Sequence, residues 1–177
     1  MSNSIVQAQI EKIKSGFARP VGYPKTQIKK VGVIGAGLMG HGISLVLSLN
    51  GIKVILIDKT EELAMYGLLK INKILKNKID RKEISPKERE QILRLITVTD
   101  DFSLLKDCDL IIEAIFEDEK LKSDIIKKFK KNINDDVILS SNTSSIPISI
   151  LAKYSTSPEN FIGIHFFSPV HKMKLVE

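Results

Sequence analysis

A chain of 177 residues, 43% hydrophobic and 27% charged, carries enough apolar material for one globular core. It has no apolar run long enough to cross a bilayer and no signal-peptide core at its start, and its single cysteine, Cys108, excludes an internal disulfide or a cysteine-based metal site, all of which points to the cytoplasm. The net charge of +6 raises nucleic acid as a partner, but the lysines lie among apolar residues in helical stretches (70–82 and 122–131), without an arginine cluster or an aromatic platform. A solvated face, or attraction to a phosphate-rich ligand, is expected instead of nucleic acid. Asp107 and Asp109 flank Cys108 and disfavour its thiolate, so the thiol is expected to be inert.

Residues 1–27 combine a short helical pattern over 5–13 with the breakers Gly16, Pro20, Gly22 and Pro24, and read as a lead-in or linker. From Lys29 onward short β-rich runs alternate with helical ones, the pattern of βαβ units and a parallel sheet. A strand is expected over 30–34, then a Gly-rich turn and a helix over 38–49 that Asn50-Gly51 ends. A second strand over 53–57 runs into Asp58. A long helix over 61–79 and another starting at Ser85-Pro86, where Ser85 and Glu88 have capping-box spacing, form a hairpin inserted after that strand. Strands follow at 96–99, 110–115, 137–139 and 161–164, separated by a helical turn capped by Asp101, a Lys-rich helix to Asn132 and a short helix over 147–154. Residues 174–176 begin another extended run. The expected architecture is α/β, a Rossmann-type doubly wound, mostly parallel sheet over 28–177 with a helical hairpin after the second strand.

Gly35-Ala36-Gly37-Leu38-Met39-Gly40 fits G-x-G-x-x-G directly after a strand and at the opening of a helix. The first glycine allows the tight turn, the second lets a pyrophosphate approach, and the third lets helix and strand pack closely. Free N–H groups at the helix start favour phosphate. Asp58 ends the second strand, where an acid can bind the adenosine ribose and repel a 2′-phosphate, so NAD is expected over NADP. His41, at the start of the same helix, should resist protonation there and reads as a neutral surface or pocket-edge residue.

Ligands of doubly wound sheets sit beyond the carboxyl ends of the strands. Three polar sets fall there: Glu113 and Glu117 after the fourth strand, Asn142 and Ser144 after the fifth, and His165 after the sixth. Each alone has an ordinary structural reading, as a loop cap or a core histidine. Together they can line one crevice. Hydride transfer from an alcohol needs a base for the hydroxyl proton, and histidine titrates in the right range. Glu177 lies beyond the Ser168-Pro169 turn, from which a reversing chain can return beside His165 to fix its tautomer.

The segments VGVIGAGLMGHGIS, DLIIEAIFEDEKLK, SSNTSSIPI and GIHFFSPVHKMKLVE closely resemble the NAD-binding domain of 3-hydroxyacyl-CoA dehydrogenases, from Ile28 to the last residue. The resemblance implies oxidation of (S)-3-hydroxyacyl-CoA to 3-ketoacyl-CoA with NAD in fatty-acid β-oxidation. It implies that His165 is the catalytic base, Glu177 its partner, and Ser144 a contact to substrate oxygen and cofactor. Asn142 and Ser168 join the same site, and Glu117 and Lys122 match positions that bind the nicotinamide-side ribose and phosphate. The hairpin would touch the CoA adenosine, with Lys73 and Lys76 as phosphate contacts.

FFSP, followed by His171, Lys172 and Met173, is more similar to the dehydrogenase part of multifunctional β-oxidation proteins, in which an enoyl-CoA hydratase domain precedes the dehydrogenase. The family continues past the position of Glu177 into more sheet and a helical domain. Two readings stay open: a dehydrogenase assembled with a separately encoded C-terminal half, or an NAD-binding fragment of a split or truncated multifunctional protein with little activity alone. A β-hydroxyacid dehydrogenase using a lysine base fits NTSS and HFFSP less well. Terminal residues fray unless tied down, so Glu177 is expected to hold His165 poorly in this chain.

Overall fold

The computed structural model describes residues 26–177 continuously, with isolated positions between 8 and 22. The helical pattern at 5–13 and most of the expected linker at 1–27 lie outside the described residues. Six strands form one parallel sheet: β1 (Lys30–Ile34), β2 (Lys53–Ile57), β3 (Ile96–Thr99), β4 (Leu110–Glu113), β5 (Ile138–Ser141) and β6 (Phe161–Gly163). Their order across the sheet is β3-β2-β1-β4-β5-β6. The central strand pairs Val31 with both Val54 and Leu110. The chain thus winds outward from β1 in both directions, and a crevice opens between β1 and β4, where the winding reverses.

The central strands are apolar on both faces because helices cover both. Their two-residue period sorts the core into halves. Val31, Val33, Val54, Leu56 and Ile112 face α1 (Leu38–Leu49), α2 (Glu61–Asp80) and α3 (Pro86–Arg94). Ile34, Ile55, Ile57, Ile111 and Leu139 face α4 (Glu119–Phe129) and α5 (Ile148–Ala152). Cys108 is buried in this second half, and burial pushes its thiol up to about 11, in keeping with an inert role.

α2 and α3 form the expected hairpin between β2 and β3. Ser85 accepts from the Glu88 N–H at 3.2 Å while the Glu88 carboxylate accepts from the Ser85 N–H at 2.7 Å, a complete capping box. No described helix is long and apolar enough to cross a membrane.

Several boundaries differ from expectation. β4 stops at Glu113 rather than Ile115, because the Glu113 carboxylate bends back to accept the Ile115 N–H at 2.7 Å. β5 runs from Ile138 to Ser141, where a shorter strand was expected one residue earlier. Its last two residues are serines, which strand propensity disfavours but burial against Ile111 and Glu113 holds in place. Glu177 is tied down: its N–H donates to the His165 carbonyl at 3.0 Å, and the His165 N–H donates to its carbonyl at 2.8 Å. An antiparallel bridge between Phe166 and Val176 stands beside that pair, where no ordering contact was expected.

Ser85→Ala removes one half of the capping box and should cost about 1 kcal/mol. A thermal melt is expected to drop by roughly 2–4 °C at this chain length.

Candidate functional site

The glycine loop joins β1 to α1 at the reversal point. Gly35 takes a φ of 98°, a left-handed conformation that favours glycine. At Gly40 an added Cβ would lie 1.6 Å from the Gly35 carbonyl oxygen, so the first turn of α1 can close on the loop only without a side chain. A Cβ at Gly37 would meet nothing, leaving the helix start open to a ligand. Leu38 is exposed beside it.

Two clefts flank the loop. One, of about 490 Å³, is lined by Gly35, Gly37, Asp58, Phe102, Ile115 and Leu121 among others. Asp58 accepts from the Ala36 N–H at 2.6 Å and the Lys59 N–H at 2.7 Å, one bond to each carboxylate oxygen. Each oxygen retains lone-pair capacity for a hydroxyl. The other cleft, of about 310 Å³, is lined by Met39, Glu117, Asn142, Ser144, His165 and Ser168, with Ala114 and Ile115 common to both. An apolar slot with an acid at its edge, a bare helix N-terminus and a polar crevice therefore follow one another across the reversal point. That succession fits adenine with its ribose, pyrophosphate and nicotinamide with its ribose.

The polar crevice rests on a network that the sequence pattern did not reveal. Lys122 and Glu113 are each only 1% exposed. The Lys122 ammonium donates to Glu113 Oε1 at 2.7 Å and Oε2 at 3.0 Å and to the Ile115 carbonyl at 3.3 Å, and pairs with Glu117 Oε2 at 3.2 Å. This placement does not bring Lys122 to the cleft surface. The Ser141 hydroxyl donates to Glu113. Glu117 Oε1 accepts from the Thr143 hydroxyl, the Ser144 N–H at 2.9 Å, and the Ser145 N–H and hydroxyl at 3.2 and 3.0 Å. Burial opposes the ionisation of Glu117. The Thr143 hydroxyl, the Ser144 N–H, Lys122 and the Ser145 hydroxyl outweigh it and hold the carboxyl at about 2. A signal for this network was available. Buried Lys122, Ile126 and Phe129 recur at helical spacing on α4, so a lysine occupies the core-facing stripe and requires an internal carboxylate.

His165 Nδ1 lies 3.3 Å from Glu177 Oε2, with side chains 28% and 62% exposed. Asn142 Oδ1 accepts the Phe166 N–H at 2.8 Å, fastening the histidine segment to the end of β5. Phe167 packs against the imidazole at 4.6 Å between ring centroids. His41 is 9% exposed rather than a surface residue. Burial, more than any other factor, lowers its affinity for a proton; the Gly37 carbonyl, 2.6 Å from Nδ1, opposes this, and Lys70 adds to it. Lys73 and Lys76 are exposed on α2 and line neither cleft.

Residues 30–177 match the family model described as 3-hydroxyacyl-CoA dehydrogenase, NAD binding domain. The chain belongs to this family. It is an NAD-binding domain of Rossmann type. The fatty acid oxidation complex subunit alpha of Idiomarina loihiensis is 41% identical over 151 residues, which is 85% of this chain and 21% of that protein. The subunit of the same name from Pseudomonas putida is 37% identical over 150 residues, with the same coverage. The chain thus spans about a fifth of the length of these relatives. Among solved structures, Mycobacterium tuberculosis FadB2 superposes with a TM-score of 0.82 at 39% identity, covering 85% of this chain and 53% of that one. (S)-3-hydroxybutyryl-CoA dehydrogenase PaaH1 from Ralstonia eutropha gives 0.82 at 34%, with equal coverage.

The lowered Glu117 carboxyl sets a pH dependence. A group held at about 2 against an ordinary 4.5 stabilises the fold above pH 4.5, and the contribution is lost as pH falls toward 2. The thermal midpoint of the wild-type chain should therefore fall more steeply across that window than that of Glu117→Gln.

Proposed function

We propose that this chain is the cofactor-binding part of a 3-hydroxyacyl-CoA dehydrogenase, and that the 177 residues by themselves bind NAD but turn over substrate weakly or not at all. The carrying observation is a contrast within the site. The cofactor loop and the Glu113–Lys122–Glu117 network are fixed by contacts inside the chain, whereas His165 and Glu177 stand in an open crevice. Relatives with fatty acid oxidation in their names are about five times longer than the matched segment, which supports the view that further structure closes that crevice. Residues 1–27 read as the lead-in from a preceding domain, and a separately encoded C-terminal half or an enoyl-CoA hydratase is the proposed partner.

In this reading the substrate is an acyl-CoA thioester bearing a 3-hydroxyl. NAD supplies a hydride acceptor for the hydrogen on carbon 3. His165 takes the hydroxyl proton on Nε2, leaving Nδ1 to Glu177. The 3.3 Å separation is long for a hydrogen bond and is expected to shorten when the crevice fills. Glu177 holds the tautomer and balances the imidazolium that forms. The Ser144 hydroxyl steadies the substrate oxygen, and Asn142 keeps the histidine segment in register through Phe166. Ser168 lines the same wall. Lys73 and Lys76, free on α2, remain the proposed contacts for CoA phosphates.

NAD at about a hundred times its dissociation constant contributes about 2.7 kcal/mol. At this chain length that raises the melting midpoint by roughly 5–10 °C. With NADH and acetoacetyl-CoA, absorbance of the reduced cofactor should stay nearly constant over the chain alone. Turnover matching a full-length family member would overturn the weak-activity reading. Any residual turnover should vanish in His165→Ala while the NAD-induced shift persists; activity surviving that change would remove His165 as the base.

A further inference from the structure

Gly37 opens α1 without a side-chain cap, and no acid stands in the first turn. The N–H groups at the helix start are thereby left for a ligand. Packing does not hold Gly37 either, since a Cβ there would meet nothing within 4 Å, and glycine is the residue with the widest backbone freedom. A serine, threonine or aspartate cap would restrain the turn, but only by taking an N–H that a phosphate could use. The restraint comes instead from the carbonyl side. The Gly37 carbonyl accepts the His41 N–H at 3.2 Å and lies 2.6 Å from His41 Nδ1. A carbonyl oxygen can only accept, so Nδ1 carries the proton.

The imidazole is itself held. It is buried on the first turn of α1 and lines neither cleft beside the loop. Lys70 on α2 stands near enough to disfavour a charge on it, and His171, beyond β6, feels His41 in the same way. The same turn of α1 is pinned by Val170, whose Cβ a Cβ at Gly42 would meet at 2.9 Å. A peptide unit is planar and trans, so the Gly37 carbonyl and the Leu38 N–H point in opposite directions. Holding the carbonyl toward the helix interior aims the Leu38 N–H out of the helix start. We infer that His41 is a positioning residue of the pyrophosphate site: its Nδ1–H clamps the Gly37 carbonyl and so presets the Leu38 N–H for phosphate, without the imidazole touching the cofactor. This rests on the reading that the pyrophosphate lies at the start of α1.

The test measures affinity for NAD, and for adenosine, which lacks the pyrophosphate, in the full wild-type chain, His41→Asn, His41→Gln and His41→Leu. Asparagine places an amide nitrogen at the δ position, where Nδ1 stands; glutamine places it at the ε position, where Nε2 stands. The two variants thus separate a clamp on Gly37 from a direct contact through the far nitrogen. NAD affinity should survive in His41→Asn and fall roughly three- to tenfold in His41→Gln and His41→Leu, the range of one net hydrogen bond. Adenosine should bind all four chains equally. Loss of NAD affinity in His41→Asn overturns the clamp, and so does unchanged affinity in His41→Gln or His41→Leu. An equal loss for adenosine would mean that the substitutions loosen the whole domain, and the inference falls. A wild-type chain that binds NAD no more tightly than adenosine removes the pyrophosphate reading, and the clamp with it. Should the Gln and Leu variants fail to fold, nitrogen-labelled histidine in the wild-type chain decides. The His41 Nδ1 proton should be present and its signal should move with NAD but not with adenosine; an unprotonated Nδ1 or an unmoved signal overturns the inference.

Discussion

A lysine ammonium is tolerated inside a protein only where a carboxylate meets it, and that requirement organises the carboxyl end of this sheet. Lys122 stands on the core-facing stripe of α4, so α4 can pack only where a strand offers an acid on the same face. β4 offers Glu113, and the two-residue period of the strand decides the face. Once joined, the pair fixes α4 against β4, and Ser141 draws in the end of β5. Breaking one side of such a pair typically costs about 3–5 kcal/mol, a large share of a small domain's stability. The network that shapes the polar crevice is therefore also part of what makes the domain fold.

The acid on the other side of the glycine loop works differently. Asp58 spends one bond from each oxygen on loop N–H groups, Ala36 and Lys59. It shapes the turn while retaining capacity for a ribose hydroxyl. Loop and acid are thus set relative to each other before any ligand arrives, which reduces the ordering cost of binding. Gly40 adds the steric condition, since α1 closes on the Gly35 carbonyl at a distance no side chain permits.

Most of the sheet was legible because its strands are short apolar runs punctuated by glycine, asparagine and capping residues. Ser85 with Glu88 marked a helix start that the structure reproduces bond for bond. The misreadings share one cause. β4 was extended through Ala114 and Ile115 because they are apolar, and β5 was cut before Ser140 and Ser141 because serines are poor strand formers. At β4 a side-chain bond to a backbone N–H two residues on, and at β5 buried bonds to residues distant in sequence, overrode local preference. The meeting of Glu117, Asn142, Ser144 and His165 could be anticipated, because strand ends in a parallel sheet line up. Glu113 with Lys122 was the harder pairing to read, since only the recurrence of Lys122, Ile126 and Phe129 along one stripe of a lysine-rich helix marks it.

The two ends of the cofactor site differ in how much they depend on surroundings. An exposed ion pair gains little, because water screens it and both side chains keep their freedom. The contact between His165 and Glu177 is likewise open to water, although the backbone bonds between them hold the two residues side by side. Alignment of the backbone fixes where the imidazole starts, while its orientation depends on a side-chain contact at 3.3 Å in an open crevice. Removing water from such a crevice would strengthen the contact, since a hydrogen bond is electrostatically stronger at the lower effective dielectric of a protein site. Cofactor affinity can therefore be complete in a domain whose proposed base is only approximately placed.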